Sequence, residues 1–249
     1  MFITGVGSGL GRALALEYLR RGYRIFALSR KLPPELQNRG EVKFVQTDLR
    51  NLEEVKLKTD RLLGGLKAAL PWTVLNAGVL GRLAEMVRLP LRELEEVMAV
   101  NLWSNKLILD QLWELQNRGD LRAGQIIAIS SGAAVNCNKG WNAYSLSKAA
   151  LNCAIKLYSH EFERSHLIAL APGLIWTPML QKVVLEHDGE RFPSVKRLKA
   201  APKHSPESAA KMLVEVFANL GRFPSGSFVD VRTAFPRTYE RYLALAADN

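Results

Sequence analysis

The sequence predicts an α/β fold: one doubly wound domain around a central, mostly seven-stranded parallel sheet. Three observations predict it. Short apolar, β-rich runs alternate with longer segments of helical period. A glycine-rich turn separates the first run from the first helical segment. The 249 residues, 48% of them apolar, suffice for one sizeable core without forcing a second domain, so residues 1–249 read as a single unit.

The elements follow in βαβ order. Strands are expected over Met1–Thr4, Arg24–Ser29, Val42–Thr47, Trp72–Leu75, Gln125–Ser130, His166–Ala171 and Ser227–Val231. Helices are expected near Gly11–Arg21, Leu52–Leu63, Leu91–Gln116, Tyr144–Arg164 and Pro206–Asn219. The first strand is short, which leaves open whether the sheet edge is clipped or starting residues are missing. Residues 178–205 carry no clear period; a segment that long predicts one or two short helices covering a pocket.

Bulk properties narrow the function classes. The formal charge of +10 invites a nucleic-acid partner, but the basic residues are dispersed. The densest run, Lys196 to Lys203, holds four in eight positions with no interleaved aromatics, so no nucleic acid is expected. No apolar stretch is long enough to span a bilayer and no signal-peptide pattern opens the chain, so a soluble, cytoplasmic protein is expected. Cys137 and Cys153 lack CxxC spacing and the four histidines lack HExxH spacing, so no metal is expected.

The turn Thr4-Gly5-Val6-Gly7-Ser8-Gly9-Leu10-Gly11 lies between strand and helix, where glycines let backbone approach a pyrophosphate and the helix N-terminus meets its charge. A plain strand-to-helix turn is the alternative. The second strand ends in Ser29-Arg30-Lys31, where an acid would bind ribose hydroxyls and select NAD. Arg30 can instead grip a 2′-phosphate, which points to NADP(H). A surface arginine after a strand is the alternative.

Tyr144 and Lys148, four residues apart, share a helix face. An ammonium beside a phenol favours its ionisation, so Tyr144 can act as general acid to a carbonyl oxygen while hydride reaches its carbon. Ser131, at the end of the fifth strand, can hydrogen-bond and position the same oxygen. Asn101 is a candidate for holding a water that links Lys148 to solvent. Taken singly, each is an ordinary surface or helix-face residue.

Together these motifs, in this order over the whole chain, resemble the short-chain dehydrogenases/reductases, a Rossmann-type family. The resemblance implies that Asp48 and Leu49 border the adenine, that Asn76, Ala77 and Gly78 line the cofactor ribose, and that Pro172, Gly173, Ile175 and Thr177 form the nicotinamide loop. Two positions depart from the family pattern. Leu75 stands where an asparagine is frequent, which implies a lost sheet-stabilising contact, and Ser8 stands where many NADP-preferring members carry a cation.

Within the family, Ser130-Ser131-Gly132-Ala133-Ala134, Lys139-Gly140-Trp141-Asn142-Ala143-Tyr144 and Ser225 to Asp230 are similar to sepiapterin reductases and bacterial benzil reductases. That branch implies that Asp230 anchors the guanidine-like edge of a pterin; a strand-end surface carboxylate is the alternative. Trp141 and Trp176 are candidate walls of an aromatic pocket for a flat diketone, with core packing the alternative for Trp141. The expected function is NADPH-dependent reduction of a small-molecule ketone or vicinal dicarbonyl. The alternatives are a catalytically silent NADP(H)-binding regulator and an NAD-linked alcohol dehydrogenase. Family habit implies a homodimer or homotetramer through Leu91–Gln116 and Tyr144–Arg164.

Overall fold

In the computed structural model, which describes residues 1–247, seven parallel strands form one sheet in the order β3-β2-β1-β4-β5-β6-β7. The strands are β1 (Phe2–Thr4), β2 (Ile25–Ser29), β3 (Val42–Gln46), β4 (Ala68–Leu75), β5 (Leu121–Ile129), β6 (His166–Ala171) and β7 (Ser227–Asp230). All seven expected strands are present. Two start earlier than expected, because β4 runs through Pro71 and the bare backbone of Gly124 on β5 lies against the proline carbonyl.

Residues alternate between two apolar faces, as a sheet covered on both sides requires. One face carries Ile3, Ala27, Val74, Ile127, Ile168 and Val229 against α1 (Gly9–Arg20) and α9 (Pro206–Ala218). The other carries Phe2, Phe26, Leu28, Leu75, Ile126 and Ala169 against α2 (Leu52–Leu63), α4 (Ser104–Asn117) and α6 (Asn142–Tyr158). Leu75 is therefore core, and β4 pairs across it with Ala128; the sheet is unbroken at that departure from the family pattern. Strand order reverses between β1 and β4, which opens the crevice where such sheets bind ligands.

Two helical features differ from expectation. The helix expected over Leu91–Gln116 is α3 (Leu91–Met98), a wide π turn (Ala99–Trp103) and α4. There Ser104 Oγ and Asn105 Nδ2 donate to the carbonyls of Val100 and Asn101 at 2.7 and 2.9 Å, competing with the backbone ladder. The segment 178–205 forms two short helices, as expected: α7 (Pro178–Glu186) and α8 (Pro193–Ala200), with Val183, Phe192 and Val195 packed on Leu83 and Trp141. After β5, α5 (Ala133–Asn136), and beyond β7, α10 (Val231–Ala234) and α11 (Pro236–Ala247), are helices that the sequence reading did not anticipate. Among the described residues no helix is long and apolar enough to cross a membrane.

Candidate active site

Over the C-terminal ends of the strands lies a cleft of about 1040 Å³. Its floor at β1 is the glycine turn. Gly5 (φ +76°) would carry a Cβ 2.9 Å from Ala77 Cα, and a Cβ on Gly11 would overlap the Gly5 carbonyl and the Asn76 amide. These contacts exclude side chains, so the turn packs backbone to backbone against the end of β4. Thr4 Oγ1 accepts from the N–H groups of Asn76 and Ala77, and Asn76 Nδ2 donates to the carbonyls of Thr4 and Gly5 at 3.0 and 3.1 Å. Ser8 caps α1 without a side-chain bond, so the first-turn N–H groups of that helix remain available to an anion. Ser8, Gly9 and Leu10 all line the cleft, which fits a pyrophosphate.

At the β2–β3 side the cleft is lined by Ser29, Arg30, Lys31, Asp48, Leu49 and Arg50. Arg50 grips Asp48 through Nε (3.1 Å) and Nη2 (2.5 Å) and holds its carboxyl down to about 2. Asp48 is thus held ionised mainly by Arg50, with the Arg30 charge adding to the effect, and Arg30 and Lys31 line the adenine end without a hydrogen-bonded carboxylate among the described residues. Arg50 was missed by sequence reading, although its place two residues after Asp48 is a readable pairing pattern.

Opposite stands the α6 wall. Tyr144 and Lys148 both line the cleft, with the ammonium 5.7 Å from the phenol ring centroid. Burial raises the Tyr144 pKa and a hydrogen bond from Ser131 opposes that rise. Ser131 Oγ also accepts from Ala133 N at 3.1 Å, which aims its proton away from the backbone. Lys148 is 3% exposed, donates to the Ile129 carbonyl at 2.7 Å, and is lowered to about 8 by burial. A Cβ on Gly78 would lie 3.5 Å from Lys148 Nζ and 3.3 Å from Asn101 Oδ1, so the glycine admits both groups.

Asn101 is fully buried and does not line the cleft. Its amide bonds Val79 N and O, both at 2.8 Å, and Ser147 Oγ at 2.9 Å. The side chain ties the β4 exit to α6 at Ser147, the residue before Lys148.

Pro172, Gly173, Ile175 and Thr177 line the cleft as expected, and so does Trp141, whose Nε1 donates to Ser194 of α8 at 2.7 Å. Two expected substrate residues do not. Trp176 turns its ring to Lys203, 5.4 Å away, where the ammonium attracts the ring face. Asp230 caps α10 and spends both oxygens on Arg232, at 3.0 and 2.6 Å, which leaves no free edge for a pterin guanidine. The side chain that lines the cleft there is Arg232.

Residues 1–188 match the family model described as short chain dehydrogenase. The chain is 30% identical over 204 residues to a benzil reductase ((S)-benzoin forming) of Bacillus subtilis, covering 79% of this chain and 82% of that one. It is 27% identical over 200 residues to the sepiapterin reductase of Chlorobaculum tepidum, covering 74% and 80%. A solved structure from Beutenbergia cavernae, described as an NAD(P)-dependent gluconate 5-dehydrogenase with NADP bound at low occupancy, superposes with TM-score 0.77 at 25% identity, covering 92% and 94% of the chains. The glycine turn, the Ser131, Tyr144 and Lys148 wall and these matches agree: the chain belongs to the short-chain dehydrogenase family, whose members are oxidoreductases binding a nicotinamide cofactor.

Proposed function

We propose that the protein is an NADPH-dependent carbonyl reductase that converts a ketone or vicinal dicarbonyl to an alcohol. The observation that carries the reading is the convergence of Ser131, Tyr144 and Lys148 on one wall of a cleft. Choice of NADPH is supported by Arg30 and Lys31, two cations with no salt bridge among the described residues, at the end where a 2′-phosphate would lie. The relatives named as benzil and sepiapterin reductases support a carbonyl beside a second unsaturated group.

Pro172, Gly173, Ile175 and Thr177 would hold a dihydronicotinamide, which would supply hydride for the carbonyl carbon. The chain's own groups do the rest. Ser131 hydrogen-bonds the carbonyl oxygen and fixes its position beside Tyr144. Burial keeps the proton on Tyr144 Oη at neutral pH, which is the state a general acid needs before reduction. As that proton moves to the substrate oxygen, the Lys148 ammonium stabilises the phenolate left behind. Trp141, 6.0 Å from the Tyr144 ring, supplies a flat apolar wall at the same point.

The test is NADPH oxidation with benzil, 1-phenyl-1,2-propanedione and sepiapterin offered in turn. At least one should be consumed; binding of NADPH without turnover of any carbonyl overturns the reading. We also infer self-association through α4 and α6, because Trp103, Trp113, Leu146 and Leu157 on or beside them are 44 to 59% exposed. Light scattering after gel filtration should give a dimer or tetramer mass, and a monomer mass overturns this.

A further inference from the structure

Six cationic side chains line the cleft, namely Arg30, Lys31, Arg50, Lys148, Arg197 and Arg232, against one carboxylate, Asp48. Four have been accounted for at the adenine end and in the proton path. Arg197 and Arg232 have not. Arg232 follows β7, five strand spacings from β2, which Arg30 follows, or roughly 24 Å. It therefore cannot share the phosphate that Arg30 meets, and lies about four spacings, some 19 Å, from the pyrophosphate floor at β1.

Its guanidinium is fixed rather than loose. Asp230 holds Nε and Nη2, leaving Nη1 without a hydrogen bond among the described residues. A Cβ on Gly132 would lie 2.9 Å from Arg232 Nη2, 3.4 Å from Asn136 Nδ2 and 3.9 Å from Asp230 Oδ2, so two sets of N–H donors converge on the residue next to Ser131, and the one carboxylate there is already paired with Arg232. Further along the same loop, Asn138 Oδ1 accepts from Arg197 Nη2 at 2.9 Å, and Arg197 meets no carboxylate among the described residues. Arg197 belongs to α8, whose sequence Pro-Ser-Val-Lys-Arg-Leu-Lys-Ala has three cations and no acid. The covering segment thus lowers an unpaired cation over a corner already rich in N–H donors.

We propose that the preferred substrate carries a carboxylate beyond the reacting carbonyl, bound between Arg197 of the covering helix and the Arg232 and Asn136 corner. This rests on the carbonyl-reductase reading and narrows its substrate to keto acids. A carboxylate matches the planar fork of a guanidinium and accepts from an amide as well. A neutral diketone fills the Trp141 side of the cleft but leaves these donors to water.

The experiment compares 1-phenyl-1,2-propanedione with its para-carboxylate, using NADPH and the full chain. The wild type should show the higher kcat/KM for the acid. The ratio of the two should fall at least about tenfold in Arg197→Gln or in Arg232→Gln, mainly through KM of the acid, the scale set by losing a charge-assisted bond. Arg197→Lys, which keeps a cation, should restore part of the preference. Arg197 is exposed on a surface helix, so its variants remain informative if Arg232→Gln does not fold. A wild type that reduces the neutral ketone without favouring the acid, or a preference that neither Gln variant lowers that far, overturns this inference and leaves the reductase reading standing. If neither ketone is reduced, the reductase reading fails and takes this one with it.

Discussion

At the β1–β3 end of the cleft, position is set by backbone. Gly5 and Gly11 have no room for a side chain, Thr4 and Asn76 lock the turn to β4, and the ligand-facing groups are helix N–H groups and two cations one residue apart in sequence. At the β5–β7 end, position is set by side chains from segments far apart in the chain. Trp141 and Ser194, Asn138 and Arg197, and Asp230 and Arg232 meet there through side-chain hydrogen bonds and an ion pair. The first kind of construction tolerates almost no change and suits a group common to many reactions. The second is re-aimed by one substitution, which suits a choice of substrate.

Tyr144 stands where the two ends meet, so its change should produce the largest effect and touch only the chemistry. Tyr144→Phe should lower kcat about a thousandfold, within the range of general acid catalysis, with the dissociation constant for NADPH within about threefold of wild type by fluorescence titration. A loss of less than tenfold would mean that the proton comes from elsewhere. Next comes the backbone-built end, probed through its charges: Arg30→Ala with Lys31→Ala should weaken NADPH binding by roughly a hundredfold and leave NADH binding nearly as it was. Equal losses for both cofactors would show that these cations do not read the 2′-phosphate.

The same contrast explains what was legible in the sequence. Glycine spacing, the Tyr144 and Lys148 interval and the strand-end serine are local patterns, and the structure places all of them on the cleft. Arg30 was readable because it follows a strand by one residue. Asp230 was read without its partner, although Arg232 two residues on makes both a cap and an ion pair, which compete directly with any ligand. Trp176 lies on the expected loop, but which way an indole turns depends on Lys203, twenty-seven residues later. The π turn at Asn101 was hidden because a residue's helical period does not reveal that Ser104 and Asn105 will bond carbonyls four residues back. In α11 the core-facing residues are Tyr239 and Tyr242 amid arginines, too sparse an apolar stripe to mark a helix.

Lys148 gives a third, smaller effect. Its ammonium is lowered from 10.5 to about 8 by burial, so the charge beside Tyr144 is lost as pH rises through that value. With Ser131 and Tyr144 the other polar groups at this wall, kcat/KM for reduction should fall about tenfold per unit above pH about 8. The folding consequence has the opposite sign. Between pH about 8 and 10.5 the unfolded chain binds more protons than the folded one, so this group's contribution to stability improves as pH rises across that window. Below it the buried charge costs on the order of 3 kcal/mol, from a shift of about 2.5 pH units (10.5 − 8). Lys148→Met removes that cost but orphans the Ile129 carbonyl, worth about 1–3 kcal/mol. At pH 7 the variant should therefore melt no lower than wild type; a clear drop in Tm would show that the ammonium is well solvated in the fold.

The smallest effect tests whether the nicotinamide loop belongs to the backbone-built end or to the side-chain-built one. Residues 173–177 are held from behind: His204 N donates to the Leu174 carbonyl at 2.9 Å, Trp176 N donates to the His204 carbonyl at 2.8 Å, and Leu174 N donates to Tyr239 Oη at 3.3 Å. Tyr239 also fills the space a Gly173 side chain would need and meets the His204 ring edge to face at 4.5 Å. Ser208 has one hydroxyl proton and gives it to the Tyr242 carbonyl at 2.6 Å, so His204 Nδ1–H donates to Ser208 Oγ and its Nε2 lone pair is buried without a partner. Burial holds that histidine below its usual pKa, hence neutral. Two backbone bonds survive Tyr239→Phe, and only the long third one is lost, a change of about 1 kcal/mol. If the backbone positions the loop, Tyr239→Phe should alter kcat and NADPH affinity by no more than about threefold, whereas Tyr239→Ala, which removes the ring beneath Gly173, should lower both further. A loss of tenfold or more from the phenylalanine variant alone would show that one side-chain hydroxyl sets the loop, and would move it to the side-chain-built half of the site.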